Sequence, residues 1–138
     1  MSTGSQFFAA TEEGLAVVLD HVDARARELG LAQDISLKLR LIVEELFVNT
    51  VRHGRGAGPV TVLLERAAEC VRLRYEDAGA EFNPFIQPDN SQRGESVAQR
   101  PVGRLGVVLI KEFAQSLDYL RLPGRNRIVV TLLLKPAA

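Results

Sequence analysis

Tryptophan is absent from this 138-residue chain, and cysteine and methionine occur once each. With Cys70 alone, no disulfide forms within the chain, and no Cys/His cluster has the spacing of a zinc site. An excess of one charge is also missing. Seventeen Lys and Arg balance seventeen Asp and Glu, so no general field steers the chain to nucleic acid or to an anionic membrane. No apolar run approaches the length of a membrane span, and the opening "MSTGSQFF" has no basic region followed by a long apolar segment. These absences lead to the expectation of a cytoplasmic protein with no direct nucleic-acid or membrane partner. Internal repeats and low-complexity tracts are lacking too. What remains is 46% hydrophobic and 25% charged, the composition of one globular domain with a real core.

The elements follow from periodicity. "SQFFAA" (5–10) reads as a short edge strand. Thr11 is a good N-cap for a helix over 12–29, where Leu15, Val18, Leu19, Val22 and Ala26 recur at helical spacing and Gly30 ends it. Asp34 is expected to cap a second helix, about 35–52, with Leu39, Ile42, Val43 and Leu46 on its core face; "HGRGAGP" (53–59) then reads as loop. "PVTVLLER" and "CVRLRYED" read as strands joined by the short "AAE". Residues 86–102 form a long polar connection before a third helix over 103–114. "SLDYLRL" and "NRIVVTLLL" close the chain around the turn "PGR". Paired strands with helices between them predict an α+β fold, a two-layer sandwich with helices on one face of a mixed, mostly antiparallel sheet.

Three short stretches stand out. In "EELFVNTVRHG" (44–54), Lys38, Glu45, Asn49 and Arg52 share one flank of the second helix, and Glu45 and Asn49 are surface neighbours at i and i+4. Taken alone, that spacing also describes a solvated flank. In "EDAGAEFNPF" (76–85), an acidic residue ends a strand and a glycine follows two positions later, which is also ordinary turn chemistry. In "GRLG" (103–106), glycines open an apolar helix, where exposed amides can approach a phosphate; a plain glycine-containing helix start has the same look.

In their order and combination these stretches resemble the three nucleotide-binding boxes of the GHKL ATPase superfamily, whose domain has the Bergerat ATP-binding fold. "EELFVN" resembles the N box, "DAG" with "FNPF" the G1 box, and "GRLG" the G2 box. The wording is most similar to the stand-alone anti-sigma factors that are also serine-protein kinases, and "GRNRIVVTLLL" resembles their last strand. The resemblance spans nearly the whole chain as a single histidine-kinase-like ATPase domain, with residues 86–102 as the ATP lid.

What the resemblance implies is specific. Asn49 would bind Mg²⁺ through its side-chain carbonyl, a hard oxygen for a hard ion. Glu45 would act as general base on the attacking hydroxyl. Asp77 would accept a hydrogen bond from the adenine amino group of ATP, and Gly79 would give the base room. Gly103 and Gly106 would let lid and helix amides meet the phosphates. Arg104 departs from the commoner "GGLG", as a charged phosphate contact or as a brake on the lid, and Arg100 is a further candidate for the γ-phosphate. The implied partners are a STAS-type anti-anti-sigma antagonist carrying the substrate serine and a sigma factor or other regulator held in sequestration; a homodimer is one of the implied assemblies. Two rival classes share the residues: a nucleotide-binding regulatory module without phosphotransfer, and an α+β interaction domain whose boxes are coincidental. His53 matches the family wording at a helix end, whereas His21 reads as a structural or an exposed group, Tyr75 and Phe82 as packing groups, and Cys70 as a buried apolar residue.

Overall fold

The computed structural model describes residues 6–54, 58–86 and 104–134. Five strands and three helices occur in the order β1 (Gln6–Phe8), α1 (Glu12–Glu28), α2 (Gln33–Gly54), β2 (Val60–Arg66), β3 (Cys70–Asp77), α3 (Arg104–Phe113), β4 (Ser116–Leu122) and β5 (Arg125–Leu133). The strands form one sheet of order β1-β2-β3-β5-β4. Every pairing is antiparallel, so the sheet is not mixed. The last two strands form a hairpin whose second member, β5, docks against β3 and leaves β4 at the edge.

Alternation decides which face is covered. Val60, Val62 and Leu64 of β2, Val71, Leu73 and Tyr75 of β3, and Ile128, Val130 and Leu132 of β5 are buried on one face. Against them lie Val18, Val22 and Ala26 of α1, the stripe Ile35, Leu39, Ile42, Val43, Leu46 and Phe47 of α2, and Val107 and Ile110 of α3. The opposite face carries Arg72, Arg74, Glu76 and Arg127, and there Glu76 pairs with Arg127 at 2.5 Å, Arg125 at 3.6 Å and Arg74 at 3.9 Å. The fold is thus the expected two-layer α+β sandwich with helices on one face. Cys70 begins β3 on the outer face and is only half-buried, not the core residue expected of it.

Helix ends explain where the boundaries fall. Thr11 caps α1, its Oγ1 accepting from the Gly14 N–H at 3.1 Å. At the other end Leu31 N–H donates to Ala26 O and Gly30 N–H to Arg27 O, with Gly30 at φ +68°, the paired bonds of a Schellman motif. Arg66 at the end of β2 donates to the Leu29 and Gly30 carbonyls at 2.6 and 3.1 Å and ties that motif to the sheet. Asp34 is not the cap of α2: the helix starts at Gln33, the Ser36 N–H already donates to Ala32 O, and Asp34 sits in the first turn, where its charge suits the positive end of the helix. The helix also runs past residue 52, through His53 to Gly54. Of the loop expected after it, residues 55–57 lie outside the described part, as do residues 87–102 of the expected lid.

Gly30 supplies a test of this frame. An alanine there must hold a left-handed backbone, and its Cβ would stand 3.3 Å from Arg66 Nη1. Gly30→Ala is expected to cost about 1–2 kcal/mol in urea unfolding. An unchanged midpoint would show that the motif does not hold α1 to β2.

Candidate nucleotide site

Strand β3 ends on Asp77, whose register partner on β5 is Asn126. The Asp77 carboxylate is held from three directions. Oδ1 accepts from Gly79 N–H at 3.1 Å and Asn126 Nδ2 at 2.8 Å, and Oδ2 accepts from Thr50 Oγ1 at 2.8 Å. A carboxylate offers about four lone-pair sites. Among the described residues three are taken, and the remaining one is on Oδ2. Asp77 lines an open pocket with Asn49, Thr50, His53, Gly79 and Phe82.

Thr50 orders the protons beneath it. Its hydroxyl lies 2.6 Å from Tyr75 Oη, 2.8 Å from Asp77 Oδ2 and 3.0 Å from Leu46 O. Burial pushes the Tyr75 phenol far above its usual range, so it stays protonated and donates to Thr50 Oγ1. The single Thr50 proton then goes to the charged acceptor, Asp77, at the shorter distance. Tyr75 and Thr50 therefore form a directed pair of hydrogen bonds that ends on the carboxylate.

Asn126 holds the turn after Asp77. Only 4% exposed, it uses its whole amide: Nδ2 donates to Asp77 Oδ1 and to Ala80 O at 2.8 Å, while Oδ1 accepts from Phe82 N–H, Tyr119 Oη and Arg121 Nη1. Arg121 also donates to Gly79 O at 2.8 Å. Phe82, fixed by this network, packs its ring 4.6 Å from that of His53 at the end of α2.

The flank expected on α2 divides along its length. Lys38 Nζ stands 5.5 Å from the centre of the Phe113 ring on α3. Glu45 reaches Gly106 of α3: a Cβ placed on Gly106 would lie 2.2 Å from Glu45 Oε1. One turn further on, Asn49 faces the pocket, and Arg52 is exposed. The structure thus brings Asn49, Asp77 and Gly79 into one pocket and sets Glu45 and Gly106 against each other on facing helices. Arg104 opens α3, and Arg100 and Gly103 lie outside the described residues. Thr50, Asn126 and Arg121 were not anticipated. Asn126 had a signal, since it is a polar residue at an inward position of a strand that otherwise alternates Ile128, Val130, Leu132. Thr50 had a weaker one, as a hydroxyl four residues after Leu46 on the core face. Tyr75 and Phe82 are packing groups, as expected, although both also line the pocket. His21 packs on Phe8, ring centres 5.2 Å apart, and burial lowers its pKa.

Among the described residues, then, an antiparallel sheet carries three helices on one face, and a carboxylate at the end of a central strand shares a pocket with a helix-borne asparagine. The chain belongs to the histidine kinase-like ATPase domain family, matched over residues 8–132. Its fold is similar to that of the Acinetobacter baumannii histidine kinase AdeS, with TM-score 0.54 and 12% identity over 99% of this chain and 70% of that one. It is similar also to a chain of the SiaB–SiaC complex from Pseudomonas aeruginosa, with TM-score 0.53 and 10% identity over 94% of this chain and 89% of that one. No curated protein matches it in sequence. No described helix is long and apolar enough to cross a membrane.

Electrostatics mark Glu45. Partial burial raises its pKa, the neighbouring charge of Glu44 adds to the rise, and Arg52 opposes it. The folded state therefore favours the protonated form. Its contribution to stability is complete below the unfolded carboxylate range, near pH 4, and is lost as pH rises through the folded value. Glu45→Gln does not ionise, so its thermal midpoint is expected to exceed that of the wild type at about pH 8 and to converge with it near pH 4. A constant difference between these limits would place the carboxylate in free solvent.

Proposed function

We propose that the protein is an ATP- and Mg²⁺-dependent protein-serine kinase of the anti-sigma type, acting in a partner switch. Asp77 carries this reading: a half-buried carboxylate, oriented by three donors, keeps one acceptor site open among the described residues, in a pocket of an ATPase-family domain. An amine donor such as that of adenine fits that site. Gly79, buried and side-chain-free at the turn, leaves space beside it. Asn49, on the same pocket wall, offers a neutral oxygen to Mg²⁺, and no group of three or more acidic, His or Cys side chains among the described residues competes as a metal cage. Such a single ligand suits an ion that keeps its waters and leans on phosphate oxygens. Bound there, Mg²⁺ would neutralise phosphate charge.

Glu45 is then the base for the incoming hydroxyl. Its raised pKa suits proton acceptance near neutrality better than an ordinary carboxylate does. Arg100, Gly103, Arg104 and Gly106 belong to the same proposal as the phosphate-side residues. The acceptor is a serine on a STAS-type antagonist protein, and the second partner is a sigma factor or another regulator. The similar fold of a chain that occurs in a complex, SiaB–SiaC, supports a protein partner.

Two measurements test this. Glu45→Ala is expected to bind ATP·Mg²⁺ as well as the wild type, while single-turnover transfer to the antagonist protein falls by about a hundredfold or more. Near-normal transfer would remove Glu45 from catalysis, and absent transfer by the wild type with ATP binding intact would favour the nucleotide-binding module. For the base, GTP is expected to bind more weakly than ATP by roughly 1–3 kcal/mol, because its carbonyl would face the Asp77 carboxylate unpaired. Equal affinities in a competition titration would show that Asp77 does not read the base.

A further inference from the structure

We propose that Gly106 is a positioning residue for Glu45, its missing side chain forming the seat that holds the Glu45 carboxylate beside α3. The proposal rests on the reading of Glu45 as the base. A Cβ at position 106 would lie 2.2 Å from Glu45 Oε1, 2.8 Å from Cδ and 3.3 Å from Cγ, so the whole end of the Glu45 side chain occupies the space that an alanine methyl needs. Nothing in the backbone demands glycine there. Gly106 is helical and has no left-handed φ, a position where alanine is the better helix former. The neighbour therefore gives the glycine a reason beside its phosphate-side role.

The two helices fix the seat from both ends. Lys38 meets Phe113 and Glu45 meets Gly106, seven residues apart on each helix and in opposite directions. This antiparallel register keeps α3 against α2 at two points, two turns apart. The flexible element at the contact is the Glu45 side chain itself. A methyl at position 106 would leave the helices in place and turn the carboxylate away, and a displacement of about 1 Å in a reacting group can cost a hundredfold in rate.

The experiment is a double-mutant cycle with two readouts. Gly106→Ala is expected to fold with an unchanged or higher thermal midpoint and to lose about a hundredfold in single-turnover transfer, measured at saturating ATP·Mg²⁺ so that the phosphate-side role of Gly106 does not enter the comparison. In a Glu45→Ala background the same substitution is expected to change nothing further, because the group it displaces is gone. Equal losses in both backgrounds would overturn the seat, since Gly106 would then act through something other than Glu45. Full transfer by Gly106→Ala would overturn it as well. Carbon-13 NMR titration of the Glu45 carboxyl needs no turnover and separates this inference from the kinase reading. The titration is expected to move toward the ordinary carboxylate range in Gly106→Ala, and an unmoved titration overturns the seat whether or not the wild type transfers phosphate.

Discussion

The site depends on one carboxylate that is charged and yet not free. A carboxylate taken from water is costly unless donors replace the lost solvent. Asp77 receives those donors from Thr50 on α2 and Asn126 on β5, both remote in sequence, and from the Gly79 amide two residues on in the turn. The two remote donors cannot be in place unless the sheet has β5 beside β3 and α2 is packed over β3. The tertiary fold and the orientation of this one side chain are therefore the same event seen at two scales.

Helix α2 does two jobs because its faces are kept apart. Its apolar stripe, with Leu39, Ile42, Val43, Leu46 and Phe47 all essentially inaccessible, fixes the rotation of the helix. The flank that carries Glu45 and Asn49 is then aimed without a loop or a hinge. Side chains built on a packed helix are held more tightly than side chains on loops, which suits groups whose value lies in position. Thr50 stands where the two faces meet and hands the orientation from the core, through Tyr75 below it, to Asp77 above.

Much of this was legible in the sequence, for reasons that can be named. The core stripe of α2 and the alternation of β3 are local periodicities, so Leu39, Ile42, Val43, Leu46, Val71, Leu73 and Tyr75 were readable as inward residues, and all are buried. Asp77 and Gly79 lay in a recognisable turn, and the structure places both in the pocket with Asn49. Sheet order was not legible, because the docking of β5 against β3 joins residues as far apart as Asp77 and Asn126, and no local pattern encodes that pairing. For the same reason Asn126 passed unnoticed as a partner. The start of α2 was misplaced because Asp34 is a good cap by type, while the chain enters the helix two residues earlier, at Ala32. Gly106 was read as letting a helix amide meet a phosphate. The structure adds a neighbouring side chain on another helix, a relation that spacing within one helix cannot reveal.

The outer face of the sheet has its own bearing on the pocket. Tyr75, Glu76 and Asp77 are consecutive, so the pleat sends Glu76 away from the helices between two residues that face them. A slip of β3 by one position would exchange the two acidic side chains, presenting Glu76 to the pocket and Asp77 to the far side. Hydrophobic alternation resists such a slip, because it would turn Val71, Leu73 and Tyr75 out of the core. Arg127, Arg125 and Arg74 add to that resistance, because they gather around Glu76 on the far side. A cluster that touches no part of the pocket thus backs the phase that alternation sets, and with it the choice of which of two adjacent acids faces the pocket.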